Sequence, residues 1–332
     1  TIDSIDVFNF KFESKDLNIT AWDMRIDGGC DMSIQDSSIQ ISKLELFARE
    51  ENELIINDNV IKNPNTYFLF ENEKLSTELS ANYNGLIDVN ASGFVDFFDN
   101  YFDIVFNEFN LKYLDTLSWK NIEPIEIFYS NNNIDIKSLV LQRTNAESIN
   151  ISGKYKFDSV DSLKIDVINF PLSTIGVFSP ENKEMFSDMI SGNLEQLNIL
   201  INGKADNPSA FLNLKTNNIL FNKDSLGIFT AELTNKDAIL TGKLKLNKDF
   251  NGNIKNLFNA TIHSLPLDIA LKDIKERFHN RNAIDISAES KDFPLSMISG
   301  FIPIIKNPVG SIDLNFKATG FSFTDLNYVG NI

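Results

Sequence analysis

The residues that could perform acid–base, nucleophilic or metal-binding chemistry are few. The 332-residue chain has two histidines, His263 and His279, and one cysteine, Cys30. The histidines lack the HExxH and HxH spacings of zinc sites, and Cys30 has no CxxC partner. The chain also has no GxSxG, GxxxxGK[ST] or GxGxxG motif, which would place a nucleophile or a phosphate at a helix start. The sequence therefore predicts a protein that is not an enzyme and uses no cofactor.

Carboxylates are abundant, since 46 Asp and Glu residues stand against 30 Lys and Arg and give a net charge of −16. Asp96, Asp99 and Asp103 lie close together but lack the spacing and the glycine of an EF-hand loop, so no metal site is predicted. A nucleic-acid binder needs a basic stripe, and docking on anionic headgroups needs a polybasic patch. The charge argues against both partners, and the carboxylates are expected to keep the polar surface soluble.

The dominant pattern in the sequence has a period of two residues. In the segment 149–157, Ile149, Ile151, Tyr155 and Phe157 fall on one side and polar residues on the other. Strict alternation is typical of a strand with one apolar face turned away from water and one polar face exposed to it. The pattern recurs at 163–167, 211–215, 244–246 and 312–318, with Asn, Asp, Gly and Ser between these segments. These turn-forming residues between the segments favour antiparallel strands joined by turns.

Few segments of the sequence have apolar residues at helical spacing. One apolar stripe with steps of three and four residues predicts a short helix over 267–281, directly after Pro266. A second stripe, which includes Met185 and Ile190, predicts a helix over 181–191. Both stripes are interpreted as packing surfaces against a sheet.

These patterns predict a mostly β fold: a long antiparallel sheet curled into an open groove, with a few short helices after Pro-Leu motifs. The alternative is a closed β-sandwich or barrel, because alternating apolar positions can also fill a core between two layers. No apolar run approaches the length of about 18 residues that a membrane helix needs. The chain starts without Met or a signal peptide and ends within a strand pattern, so we interpret it as a fragment of a longer protein.

The chain repeats itself loosely. A glycine inside a strand pattern, such as Gly93 or Gly153, is followed by a second strand and then, in the clearest copies, by a Pro-Leu motif. The fullest order is Phe-Pro-Leu-Ser, a short helix, Gly, an alternating strand, Gly, Asn-Pro and another alternating strand, and it occurs nearly twice between residues 150 and 332. This order resembles the TamB family of AsmA-like envelope proteins, which have a repeating β-groove architecture.

The resemblance implies a location and a function. Proteins similar to this one lie in the periplasm of Gram-negative bacteria, and the inner-membrane tether is expected outside this fragment. The resemblance implies a bridge-like lipid-transfer protein whose apolar groove carries phospholipid acyl chains between the inner and outer membranes. A second role attached to the family is a translocation and assembly scaffold for outer-membrane proteins or autotransporters, with an Omp85-type partner. A third hypothesis is a β-sandwich adhesin or binding module without a lipid role.

The predicted organisation divides the chain at residue 85. Residues 1–85 are interpreted as strands of an unassigned repeat, and residues 86–332 as the TamB-like groove region with loose units near 86–148, 149–235 and 236–332. The predicted lining of the groove consists of the apolar residues of the alternating strands: Ile149, Ile151, Tyr155, Phe157, Leu163, Ile165, Val167, Leu197, Ile199, Ile201, Leu244, Leu246, Ile312, Leu314 and Phe316.

Overall fold

The structure is a computed structural model. It describes residues 5–13, 18–35, 38–50, 53–56, 59–72, 74–98, 100–113, 117–130, 133–156, 159–172, 190–204, 206–221, 224–250, 252–270, 277–278, 283–295, 309–322 and 325–331. Of these described residues, 88% lie in strands and 1% in helices. It divides into two compact units, residues 1–145 and residues 146–332.

The first unit contains eleven of the described strands. They are β1 (Ile5–Glu13), β2 (Asn18–Gln35), β3 (Ser38–Glu50), β4 (Glu53–Ile56), β5 (Asn59–Glu71), β6 (Lys74–Tyr83), β7 (Ile87–Phe98), β8 (Tyr101–Tyr113), β9 (Leu117–Asn121), β10 (Ile125–Ser130) and β11 (Asn133–Thr144).

Most strands of the first unit pair with the next strand in the chain, and some pairs skip one short strand. All of these pairings are antiparallel. The ladder runs β1, β2, β3, β5, β6, β7, β8. Strand β4 also bridges β2 and β5. Strands β9 and β10 together occupy one position between β8 and β11, so they form a single strand interrupted at residues 122–124. Pro124 lies in that interruption, where its missing N–H costs no ladder bond.

The second unit contains ten of the described strands. They are β12 (Glu147–Lys156), β13 (Ser159–Pro171), β14 (Ile190–Lys204), β15 (Asn207–Phe221), β16 (Asp224–Lys236), β17 (Ile239–Phe250), β18 (Asn253–Pro266), β19 (Ile284–Pro294), β20 (Ser311–Gly320) and β21 (Leu326–Asn331).

The second unit is an uninterrupted antiparallel meander. Each strand from β12 to β21 pairs with the next strand in the chain. Turns join β16 to β17 at Asp237 and Ala238, which both adopt positive φ. The prediction of a mostly β chain with a long antiparallel sheet that stays open is confirmed.

The two predicted helices fall largely outside the described residues. For the segment 267–281, the described residues 267–270 and 277–278 form turns and contain no helix, and the N–H of Asp268 donates to the carbonyl oxygen of Arg277. For the segment 181–191, only Ile190 and Ser191 are described, and they begin β14, where they pair with Phe221 and Leu220. The described residues therefore place the end of the second segment in a strand, and the remainder of both predicted helices stays a prediction.

Candidate functional site

Strand register aligns apolar side chains in rows that cross the second unit. In an antiparallel pair, directly opposite residues lie on the same face of the sheet. Val167 is opposite both Ile149 and Leu197, and the alignment continues through every strand to β20. The first apolar row contains Ile149, Val167, Leu197, Leu214, Ala231, Leu244, Ala260, Ala288 and Phe316.

A second apolar row lies two residues further along each strand, on the same face. It contains Ile151, Ile165, Ile199, Leu212, Leu233, Gly242, Ile262, Ile286 and Ala318. We call the surface formed by these two rows and their flanking apolar residues the apolar face. Leu163 and Ile201 flank it on one side through their pairing with each other, and Leu246 lies next to Leu244 on β17.

The remaining predicted lining residues lie at the margins of the apolar face. Ile312, Leu314 and Phe316 alternate on β20, with Leu314 opposite Ser290 and Ile312 opposite Phe293. Tyr155 follows a register shift in the β12–β13 pair and is 37% exposed. Phe157 lies outside the described residues. Their role in binding an acyl chain stays a prediction.

The apolar face is buried at some row positions and partly accessible at the others. Twelve of the eighteen row residues are partly buried, and the six residues with an exposed fraction of at most 9% are Val167, Ala231, Ala260, Ile262, Ala288 and Ala318. Val167 is 8% exposed, whereas every other predicted lining residue whose side chain is described keeps a larger exposed fraction. Residues that fill a closed core are usually almost completely buried. Leu257 is the only large side chain among the described residues with less than 2% exposure. The neighbouring strands therefore cover the flanks of these side chains, while part of their surface stays accessible.

The opposite face of the same sheet carries polar residues in equally regular rows. One such row contains Asn150, Asp166, Asn198, Asn213, Glu232, Lys243, Thr261, Ser287 and Lys317. Asp166 accepts hydrogen bonds from Lys164 Nζ and Asn198 Nδ2, both at 2.6 Å. Burial acts to raise the pKa of Asp166, but these two donors and the positive charge of Lys164 together hold it below its usual value.

The Pro-Leu motifs at 171–172, 266–267 and 294–295 each lie at the end of a strand. Leu172 follows Pro171 and packs with Val167 and Leu194 in a buried cluster. Leu267 follows Pro266, and its N–H donates to the carbonyl oxygen of Ala238 at 2.8 Å. Leu295 follows Pro294 and donates to the carbonyl oxygen of Gly310 at 3.0 Å. Proline ends the ladder because it lacks an N–H, and the leucine N–H then finds a partner outside the strand.

Two polar side chains of the described residues are buried, those of Thr216 and Asn235. Asn235 is 3% exposed and is paired with Ala210 and Leu240 in the sheet. Its Nδ2 atom donates to the carbonyl oxygen of Leu267 at 2.8 Å, whereas its Oδ1 atom is buried without a partner. This hydrogen bond fastens the residues after β18 to the end of β16.

The first unit repeats the division into an apolar and a polar face. Leu44, Phe70, Leu75, Val95, Ile104, Ile127 and Ile136 form one aligned apolar row. At the β7–β8 turn this face becomes aromatic, because the Phe97 ring contacts the rings of Phe70 and Phe102 edge to face at 6.0 and 5.4 Å. The Tyr129 ring stacks on Phe102 at 5.8 Å.

The polar face of the first unit contains a cavity that the sequence analysis missed. Its volume is about 330 Å³, and we call it the polar cavity. Residues from β3, β5, β6, β7 and β8 line it: Phe47, Asn65, Tyr67, Glu78, Leu79, Ser80, Asn90, Ala91, Ser92, Glu108 and Asn110. These residues are scattered over 64 positions of the chain and match no motif, so only the register brings them together.

A second cavity, of about 540 Å³, lies in the other unit among β18, β19, β20 and β21. Its amide groups are bonded to one another. Asn256 Nδ2 donates to the Oδ1 atoms of Asn247 and Asn259 at 2.9 Å, and Asn259 Nδ2 donates to Glu289 Oε1 at 3.0 Å.

Of the two histidines and the cysteine, the structure describes only the side chain of His263. His263 is exposed, and its Nε2 atom lies 3.1 Å from Ser287 Oγ. His279 lies outside the described residues, as does the Cys30 side chain. Among the described residues, no group of three His, Cys, Asp or Glu side chains could hold a metal ion. Over the same residues, no helix has the length and apolar character required to cross a bilayer.

Comparison with known proteins gives no relative. No family model matches the chain, and neither a curated protein nor a solved structure is significantly similar to it.

Proposed function

We propose that the protein binds phospholipid acyl chains along the apolar face of residues 146–332. The TamB resemblance extends this proposal to a periplasmic segment that carries lipid between the inner and outer membranes. The observation that carries the proposal is the alignment of two apolar rows across nine consecutive strands, in which twelve of the eighteen residues stay partly accessible. A monomeric soluble protein rarely leaves such a large contiguous apolar surface without a ligand or a membrane to cover it.

The chemistry of the apolar face suits a hydrocarbon chain. An acyl chain gains about 0.8 kcal/mol for each CH₂ group that it buries, and it requires no hydrogen-bond partner. The rows consist of aliphatic residues, with Phe316 at the β20 end, so a chain that lies along a row meets only carbon atoms.

Two adjacent residues give a matched pair for the test. Ile199 belongs to the second apolar row, whereas Leu200 points to the polar face, where it is opposite Lys164 and Phe211. A photo-crosslinking amino acid is placed at either position, and the full chain is purified from cells and analysed for lipid adducts by mass spectrometry. We expect phospholipid adducts from position 199 and few from position 200.

Substitutions at the same two positions provide a second test of the proposal. Ile199→Glu places a charge on the apolar face, and Leu200→Glu places the same charge on the polar face. The first change is expected to remove co-purifying phospholipid, and the second to leave it in place, with circular dichroism as the check that both variants keep their strands. Equal crosslinking at the two positions, or no lipid in the unmodified protein, would contradict the proposal. Loss of outer-membrane proteins with an unchanged lipid balance in cells would favour the assembly role instead.

A further inference from the structure

The polar cavity of the first unit has lining groups that make no hydrogen bond or ion pair among the described residues. The Oδ1 atom of Asn65 is buried without a partner. Glu78 and Glu108 both line the cavity, and neither has an ion-pair partner among the described residues. The second cavity, by contrast, has its Asn256 and Asn259 amides bonded to neighbouring side chains. Asn65 Oδ1 and the carboxylates of Glu78 and Glu108 are therefore lining groups to which a ligand could donate hydrogen bonds.

Two aligned rows form this lining. The first contains Phe47, Tyr67, Glu78, Ser92 and Glu108, and the second contains Asn65, Ser80, Asn90 and Asn110. The rows cross five strands, which corresponds to a length of roughly 19 Å at the spacing of adjacent strands. A ligand that contacts the whole lining is consequently elongated.

The lining combines aromatic rings with amides, hydroxyls and the two carboxylates. Phe47 and Tyr67 are directly opposite each other at one end of the cavity. Tyr67 is held there because its hydroxyl donates to Glu45 Oε1 at 2.7 Å, a bond that raises the pKa of the tyrosine and lowers that of the carboxyl group. At the other end, amides and hydroxyls both donate and accept hydrogen bonds. The volume of about 330 Å³ falls in the range of small-molecule sites.

We propose that the polar cavity binds a short oligosaccharide. Sugar hydroxyls donate to the carboxylates and to Asn65 Oδ1 and accept from the amide groups, and the apolar side of a sugar ring stacks on Phe47 or Tyr67. A polyamine satisfies this lining less well, because it only donates hydrogen bonds and would leave the N–H groups of three asparagine amides without an acceptor. This site is independent of the apolar face, since it belongs to the other unit and to the polar surface.

Calorimetric titration of the full chain with three trisaccharides tests the proposal. The probes are triacetylchitotriose, cellotriose and maltotriose, with spermidine as the cationic alternative. We expect saturable binding of at least one trisaccharide and none of spermidine. Asn65→Ala and Glu108→Gln are each expected to weaken that binding about tenfold, since each removes a hydrogen bond to the ligand. Asn213→Ala and Glu232→Gln, on the polar face of the other unit, are the matched controls and are expected to change nothing.

Three results would overturn the proposal. One is the absence of saturable binding for all three saccharides, and another is binding that Asn65→Ala and Glu108→Gln leave unchanged. The third is tighter binding of spermidine, which would assign the cavity to a cationic ligand. Nuclear magnetic resonance of the variants, recorded without ligand, shows whether a loss of binding reflects a loss of fold. Lipid crosslinking at position 199 is expected to continue in every variant, so the two proposals can fail separately.

Discussion

The Asn121 side chain completes the hydrogen bonding of Phe109 at the interruption between β9 and β10. The Oδ1 atom of Asn121 accepts a hydrogen bond from the Phe109 N–H at 2.7 Å. Its Nδ2 atom donates to the carbonyl oxygens of Asn107 and Glu123, both at 2.9 Å. A side chain thus replaces the ladder partner that β8 lacks at this position. The same contact supports the bulge between Phe106 and Glu108, which sets the direction of Glu108 into the polar cavity.

Removal of the Asn121 amide is expected to destabilise the first unit. Asn121→Ala leaves the Phe109 N–H and two carbonyl groups without their partner, at a cost of about 1–3 kcal/mol. Urea unfolding, together with hydrogen exchange of β8 and β9, measures this change. Asn90→Ala alters an exposed asparagine of β7 that makes no hydrogen bond among the described residues, and it is expected to cost less than about 0.5 kcal/mol. Equal effects of the two substitutions would contradict this account of Asn121.

A second prediction concerns the buried amide of Asn235. Asn235→Ala removes the donor to the Leu267 carbonyl oxygen, and we expect a loss of about 1–3 kcal/mol because that oxygen then lacks its partner. Faster hydrogen exchange should appear at the end of β18 and at Leu267, whose own N–H is bonded to Ala238. The control is Asn213→Ala, on the polar face of β15. If exchange at Leu267 does not change, Asn235 does not fasten this segment.

Gly153 is a position where the sheet excludes a side chain. Its φ is +137°, and a Cβ atom there would lie 1.8 Å from the carbonyl oxygen of Ser162 and 2.8 Å from the Cα atom of Leu163. Gly153→Ala is therefore expected to destabilise the β12–β13 pair by at least about 2 kcal/mol. Gly252→Asn is the comparison, because its backbone also has a positive φ but nothing lies within 4 Å of the added atom. Thermal unfolding of the two variants measures the difference, and similar midpoints would show that the close contact relaxes at little cost.

The pH dependence of stability should contain a contribution from Asp166. Its folded-state pKa is lower than the ordinary value of 3.8, so its ionised form stabilises the fold above that value. The contribution is lost as the pH falls below 3.8 toward the folded-state pKa. Asp166→Asn is expected to lower stability at neutral pH and to remove this part of the acid dependence. The measurement is the difference in urea midpoint between wild type and variant from pH 6 to about pH 3.

The acid experiment needs a control because other carboxylates titrate in the same range. The pKa of Asp292 is lowered through its hydrogen bond from Lys255 Nζ, so wild type and variant share that contribution and it cancels in the difference. Glu232→Gln alters a carboxylate of the same polar row that makes no hydrogen bond among the described residues. A difference curve for Asp166→Asn that does not change with pH would contradict the assignment.

Alternation in the sequence predicts the strands and their faces because it reports local geometry. Ile149, Ile151 and Ile165 lie on one face of the sheet, with Asn150 and Asp166 on the other, as the period of two residues indicates. The rows could not be predicted, since they depend on how each strand is aligned with the next. Bulges decide that alignment, and they occur where the pattern gives no signal, for instance between Lys154 and Tyr155.

The polar cavity could not be predicted for the same reason, since its lining also depends on how the strands are aligned. Asn65, Asn90 and Asn110 are polar residues of three different strands. They belong to one row only because Asn65 pairs with Ser80, Ser80 with Asn90 and Asn90 with Asn110.

The predicted helix over 267–281 lies mostly outside the described residues, and contacts remote in the sequence act on its first residues. Its apolar spacing is compatible with a helix, but the described residues beside Pro266 are held in a turn by hydrogen bonds to Ala238 and Asn235, which are remote in the sequence.

The neighbour-to-neighbour pairing of β12 to β21 has a consequence for how such a protein can change in length. Removal of one complete hairpin returns the chain to the same edge with the same direction, so every remaining side chain keeps its orientation. Removal of a single strand would invert the direction of everything that follows. The hairpin is therefore the unit by which the number of strands in this sheet can change. Adding or removing hairpins lengthens or shortens the sheet in the direction of its hydrogen bonds, and the strands that follow keep their direction.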